Sequence, residues 1–226
     1  MNYPDPLLPE SLLWASDLLA LLLLVVAAWS APWKRLTRDN VLNVWFGMCV
    51  GLMLLWSIKT GIRPGLNFHL LGATVMTLMF GARLALLGLA VVLLGVTVAG
   101  GAGWGALGIN WMLMAVLPVG LSYLIYLVVD RKLPNHLFVY IFLNAFLGAG
   151  LVVFLTGGAS VALLHGVEAY PGDYLVRNYL PYFILMAWSE ALLTGMAVTL
   201  MTAFRPAWLV TFSDVRYLKT KPDRGG

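Results

Sequence analysis

The hardest constraint on this chain is its succession of long apolar runs separated by short polar joints. The runs last roughly 16 to 26 residues, about the length a helix needs to cross the hydrocarbon layer of a bilayer. They are continuous rather than alternating, which suits helices and not the strands of a membrane barrel. With 61% hydrophobic and only 11% charged residues among 226, the chain has too little polar surface to cover a water-soluble globule. The expectation is an all-α, polytopic membrane helical bundle.

The start of the chain lacks the basic opening of a cleavable signal: Asp5, Glu10 and Asp17 come first, and no base precedes the first run. Met1 is expected to stay on the chain, because its removal normally requires a small second residue and here that residue is Asn2. The single cysteine, Cys49, excludes an internal disulfide and a cysteine-based metal site, and reads as a small buried residue. The net charge of +4 matters less than where the bases lie, since they set orientation.

The runs predict about seven spans, near 11–31, 41–58, 67–82, 84–99, 109–129, 136–156 and 179–204, within one transmembrane domain over 1–210. Residues 211–226 then form a basic cytoplasmic tail whose last part, from Arg216, is expected to be poorly ordered. Residues 67–99 decide the topology. Read as two short spans joined by a tight turn at Gly81-Ala82-Arg83, they leave only Lys59, Arg63 and Arg177 of the 14 bases outside. Read as one crossing, they would put most of the bases outside and strand Arg83 in lipid. The N-terminus is therefore expected outside and the C-terminus in the cytoplasm. Short spans are tolerated where protein surrounds them, which places this hairpin near the bundle centre. Pro118 should kink the fifth span or loosen its backbone bonding. Gly47 and Gly51 form a GxxxG pair that permits close helix approach. The loop 157–178 reads as the longest polar segment. Trp33, Trp104 and Trp208 fit interfacial anchors.

Polar groups within spans are few: Asp17, His69, Arg83, Asn110, Asn144 and Glu190. No metalloprotease, nucleotide-binding or nucleophile motif is present, so the chain reads as neither a hydrolase nor an ATPase, and nothing in it points to nucleic acid. Asn110 and Asn144 read as interhelical hydrogen-bonding groups, and Glu190 as a structural carboxyl without a relay partner. Arg83 suits cytoplasmic headgroups, and His136 a solvated helix start. Met112 and Met114, two apart on a helix, face different sides and read as core. His69 follows a Pro-Gly turn at the mouth of an apolar run, and an ionisable residue there is a functional candidate.

Four blocks carry a family resemblance in the right order. The opening MNYPDPLLP, the segments GLNFHLLGATV and ALGINWMLMAV, and SEALLTGMAV resemble the N-terminal signature, the histidine helix, a later ALGAN-like segment and the glutamate-containing last helix of CbiM/NikM-type cobalt/nickel-uptake permeases, the substrate-binding components of energy-coupling-factor transporters. The resemblance implies a seven-helix component in the bacterial inner membrane that captures a divalent transition metal, cobalt or nickel, from outside. It needs no organic cofactor, and depends on a transmembrane coupling protein and ATPase subunits. It also implies the ligand set: the Met1 amine, the backbone nitrogen of residue 2 and the imidazole of His69. The family pattern places a histidine at position 2, where this chain has Asn2. Asp5 and His165 are candidate accessory ligands if the N-terminal turn or the outer loop folds over the site. The rival expectation is a non-transporting member of the fold, with an assembly or sensor role and a degenerate metal site.

Overall fold

The computed structural model describes residues 2–37 and 40–218. Helix α1 (Glu10–Ser30) ends where Pro32 drives Ala31 out of helical geometry, to φ −67°, ψ 142°. Its buried positions, Ser16, Ala20 and Ala27, are small, while Trp14, Leu18 and Trp29 face outward. That pattern is the membrane one: backbones approach on small residues and large apolar groups meet lipid. Helix α2 (Val41–Ser57) buries Trp45, Cys49, Leu52 and Trp56, which follow one another at helical spacing on a single face. The GxxxG pair on this helix does not serve as expected, since a Cβ at Gly47 or Gly51 would meet nothing within 4 Å. The close approach happens instead at Gly88, where a Cβ would run into Met76, Trp45 and Cys49.

The all-helical expectation needs one amendment. Strands β1 (Thr60–Arg63) and β2 (Leu66–Phe68) pair antiparallel, Thr60 opposite Phe68 and Gly61 opposite Asn67, across the Pro64-Gly65 turn. Gly65 sits at φ +77° with Tyr3 and Leu7 against it, so a side chain there would be strained in backbone and crowded in space.

The expected span at 67–82 is not a continuous helix. Its first residues belong to β2 and an irregular loop through Gly72, and only α3 (Ala73–Phe80), eight residues long, is helical. All eight residues of α3 are buried, which bears out its central position. So short a helix leaves much of its backbone unpaired within itself, a severe cost without water. Both ends are covered by one neighbouring region. The N–H groups of Leu71 and Gly72 donate to the two carboxyl oxygens of Glu190, at 2.8 and 2.6 Å. At the other end the carbonyls of Met79 and Leu78 accept from Val210 N (3.0 Å) and Thr211 Oγ1 (2.9 Å). The turn expected at Gly81 is present, with φ +80°, and leads directly into α4 (Ala82–Val98). Arg83 reaches back to the Ser30 carbonyl at 2.8 Å.

Helix α5 runs Leu107–Lys132 and α6 Leu137–Gly166. Residues Met112–Val116 of α5 form a π-helical turn immediately before Pro118. The proline lacks an N–H and displaces the carbonyl one turn earlier, and the wider turn absorbs that conflict without breaking the helix. A second π-helical stretch, Tyr140–Leu147, lies in α6 and carries Asn144, whose buried amide has no hydrogen-bond partner among the described residues. Asn144 is therefore not the interhelical bonding group its sequence context suggests. His136 opens α6 exposed, its ring accepting the Phe138 N–H at 3.2 Å.

The loop expected from residue 157 is also corrected, because α6 continues to Gly166. There a Cβ at Gly157 would strike the Phe183 ring, so glycine serves helix packing here rather than a turn. After α7 (Gly172–Asn178), α8 (Tyr182–Phe204) completes the bundle. The chain then folds back: Phe212 and Tyr217 are buried and stacked at 5.2 Å, and Arg216 pairs with Asp130 at 2.8 Å. The boundary expected at 210 thus falls inside packed structure that includes Phe212 and Tyr217, and the tail from residue 219 lies outside the described residues. Among the described residues four helices, α1, α5, α6 and α8, are long and apolar enough to cross a membrane, while α2 and α4 are apolar but only 17 residues each.

Candidate metal centre

The residues before α1 do not trail in solvent. They thread into the bundle and meet the loop between β2 and α3. Tyr3 is fully buried, with its hydroxyl 2.6 Å from Ser160 Oγ, which is in turn 3.2 Å from the Tyr179 hydroxyl. Burial pushes the Tyr3 phenol well above its ordinary pKa, so the ring enters the bundle neutral. Asp5 accepts the Ala106 N–H at 3.1 Å and packs against Gly103, where a Cβ would fall on its carboxyl group. One turn deeper, Asp17 accepts the Gly108 N–H at 2.8 Å, closing the start of α5 from α1.

His69 and Asn2 are each 3% exposed, and they face one another. The His69 Nε2 lies 3.1 Å from Asn2 Oδ1, and its Nδ1 lies 3.1 Å from the Leu70 carbonyl oxygen. The Asn2 Nδ2 donates to the Gly101 carbonyl at 3.3 Å, which orients the amide with its oxygen toward the imidazole. Both ring nitrogens therefore confront carbonyl-type oxygens, whereas a neutral imidazole has one N–H to give. One of the two contacts is left as lone pair against lone pair, an arrangement that a cation relieves. The Trp56 ring closes one side of the pocket, centred 4.9 Å from His69, and its Nε1 donates to the Leu71 carbonyl at 3.1 Å. The loop that carries His69 is thus held at Leu71 by Trp56 from α2 and by Glu190 from α8.

Of the expected site residues, Asn2 and His69 come together across 67 positions of sequence. Met1 lies outside the described residues. The two accessory candidates are occupied otherwise: Asp5 holds the glycine-rich turn before α5, and the exposed His165 ring lies against Gly172 at the start of α7. Among the described residues no three His, Cys, Asp or Glu side chains form a metal-binding group. Asn110 also differs from its expected role. It does not bridge helices but binds the backbone of Tyr3, accepting its N–H at 2.8 Å and donating to its carbonyl at 3.1 Å. Glu190, expected as a structural carboxyl, accepts the two backbone N–H groups just before α3, those of Leu71 and Gly72.

Sequence reasoning missed Tyr3, Trp56 and Asn67. The Asn67 side chain accepts the Asn2 N–H at 2.7 Å and returns a bond to the Asn2 carbonyl at 3.1 Å. A signal existed for it. Residues two apart on an extended segment project to the same side, so Asn67 and His69 share a face once 66–69 is read as extended rather than helical.

The fold has solved counterparts. A structure described as a transition metal transporter superposes with a TM-score of 0.76 at 20% identity, covering 90% of this chain and 93% of that one. A truncated transition metal transporter gives 0.75 at 19%, covering 90% and 99%. At these identities the likeness is one of fold. No curated protein matches the sequence. The family model for the cobalt uptake substrate-specific transmembrane region matches residues 2–208, nearly the whole described chain. The chain therefore belongs to the cobalt uptake substrate-specific transmembrane family, and is an integral membrane component of metal uptake.

Proposed function

We propose that the protein is the substrate-capture component for a divalent transition metal of the cobalt or nickel kind, taking the ion from outside a bacterial inner membrane. The ion sits between the N-terminal segment and His69, with donors from the Met1 amine, from the Asn2 side-chain oxygen and from His69 Nε2. The backbone nitrogen of residue 2, a donor in the family's set, here gives its N–H to Asn67 at 2.7 Å. The observation that carries this reading is the 3.1 Å approach of His69 Nε2 to Asn2 Oδ1 in a pocket closed by Trp56. Two neighbouring donors about 2.1 Å from one ion stand about 3 Å apart, so the pair needs little movement to share a cation. Imidazole and amine nitrogen suit nickel and cobalt, while the amide oxygen is a harder and weaker donor than the histidine of the family pattern. The helices are read as seven passes with the N-terminus outside, which keeps most of the basic residues in the cytoplasm. Lacking a nucleotide-binding motif, the chain depends on a transmembrane coupling protein and ATPase subunits to move the ion.

Metal titration of the purified protein in lipid nanodiscs tests the site. His69→Ala and a form extended at the N-terminus are both expected to lose nickel and cobalt binding. Unchanged affinity in both would sink the assignment.

One observation favours a second reading. Asn2 is satisfied by His69, Gly101 and Asn67 together, so the pocket closes on itself as a decayed site would, which fits a non-transporting assembly or sensor role. Tight nickel or cobalt binding by the wild-type protein excludes that reading.

A further inference from the structure

The N-terminal segment is held by a device that neither the family pattern nor the ligand set describes. Asn67, on β2, bonds both the N–H and the carbonyl of residue 2. Asn110, on α5, bonds both the N–H and the carbonyl of residue 3. Each side-chain amide takes the place of one residue of a neighbouring strand, presenting one acceptor and one donor to a single backbone unit. Successive residues of an extended chain turn their backbone groups to opposite edges. Tyr3 is biased to extended geometry by Pro4 behind it, and Pro4 is itself extended at φ −78°, ψ 153°. The two amides therefore grip adjacent residues from opposite sides. A slip of one position would present each amide with the wrong edge and would also withdraw the Tyr3 hydroxyl from Ser160.

We infer that Asn67 and Asn110 are positioning residues that set the register of the N-terminal segment, so that residue 2 and no other faces His69. This rests on the metal-capture reading for its consequence, though not for its geometry. With the register held, the donors at the head of the chain reach the imidazole already ordered. Without it, the same atoms must be ordered by the ion, and affinity falls.

The test uses the full-length protein in lipid nanodiscs and two readouts: the rate at which an aminopeptidase trims the N-terminus, followed by intact mass, and nickel titration with its visible ligand-field spectrum. Asn67→Ala and Asn110→Ala are each expected to be trimmed at least tenfold faster than wild type. They are expected to bind nickel about 10- to 100-fold more weakly, the usual effect of removing a group that orients a ligand. In Asn67→Ala the nickel absorption band should also shift, because the Asn2 side-chain oxygen is no longer held against His69 Nε2, a change that a general loss of stability does not produce. His69→Ala should lose nickel binding yet keep wild-type resistance to trimming. Should an alanine variant fail to fold, Asn67→Gln, the same amide on a longer arm, carries the test with the same expected outcomes. Wild-type trimming rates in the alanine variants overturn the proposal, and so does faster trimming with unchanged nickel affinity and spectrum. A wild-type protein that binds no nickel or cobalt overturns the capture reading, while the trimming difference alone then decides the register.

Discussion

Replacing Glu190 with alanine should damage the protein in two separable ways. Glu190 is 3% exposed and spends its two carboxyl oxygens on the N–H groups of Leu71 and Gly72 at the start of α3. Alanine leaves both donors buried with no partner and no water, at about 1–3 kcal/mol each, so a loss of about 2–6 kcal/mol is expected. Glutamine keeps one acceptor and turns an NH2 group toward the other N–H, so it should cost about 1–3 kcal/mol. The second effect falls on metal binding, because His69 lies two residues ahead of Leu71 on the loop that Glu190 anchors. If freeing that loop lowers the competent fraction 10- to 100-fold, about 1.4–2.8 kcal/mol, the apparent Kd for nickel rises by the same factor. Thermal unfolding in detergent measures the first effect and nickel titration the second. An alanine variant with wild-type unfolding refutes the covering of α3. One that is destabilised yet binds nickel normally refutes the link from Glu190 to His69.

Asn2→His should raise nickel affinity by about tenfold or more, since an imidazole nitrogen replaces an amide oxygen as donor; an unchanged Kd in titration would remove residue 2 from the site. The Asn2→His protein should also release more protons on binding as pH falls toward the imidazole range, measurable by titration in buffers of different ionisation enthalpy. Gly103→Ala should lower stability by about 1–3 kcal/mol, because its Cβ falls on the Asp5 carboxyl that holds the turn before α5. Gly158→Ala is the control, since its Cβ meets nothing within 4 Å and a helix interior gains by the change; equal unfolding midpoints for the two variants would discount the Asp5 contact.

Much of the architecture is legible in the order of residues because its causes are local. The apolar runs, the proline that stops α1, the Pro64-Gly65 turn and the one-residue turn at Gly81 all act within a few positions. The burial of His69 beside the Pro64-Gly65 turn is legible as well, since it opens an apolar run. Tertiary packing overrode several local readings, two of them in the course of the chain. Residues 66–68 are apolar enough to begin a helix, yet pairing with β1 takes them as a strand. The glycines at 157 and 158 read as a loop, yet the Phe183 ring against Gly157 keeps α6 helical beyond them.

What the sequence by itself determined is a membrane helical bundle with a histidine set at one end of a short central hairpin. The tertiary structure alone decided how that hairpin survives without water and what faces the histidine. Glu190 lies 119 positions from Leu71, Asn67 lies 65 from Asn2, and Asn110 lies 107 from Tyr3. Each is a polar side chain serving backbone groups of an irregular segment that no helix or strand pairs. Apart from the strand face that Asn67 shares with His69, no local pattern marks such a residue, because the need it meets belongs to a distant segment and arises only when the bundle excludes water.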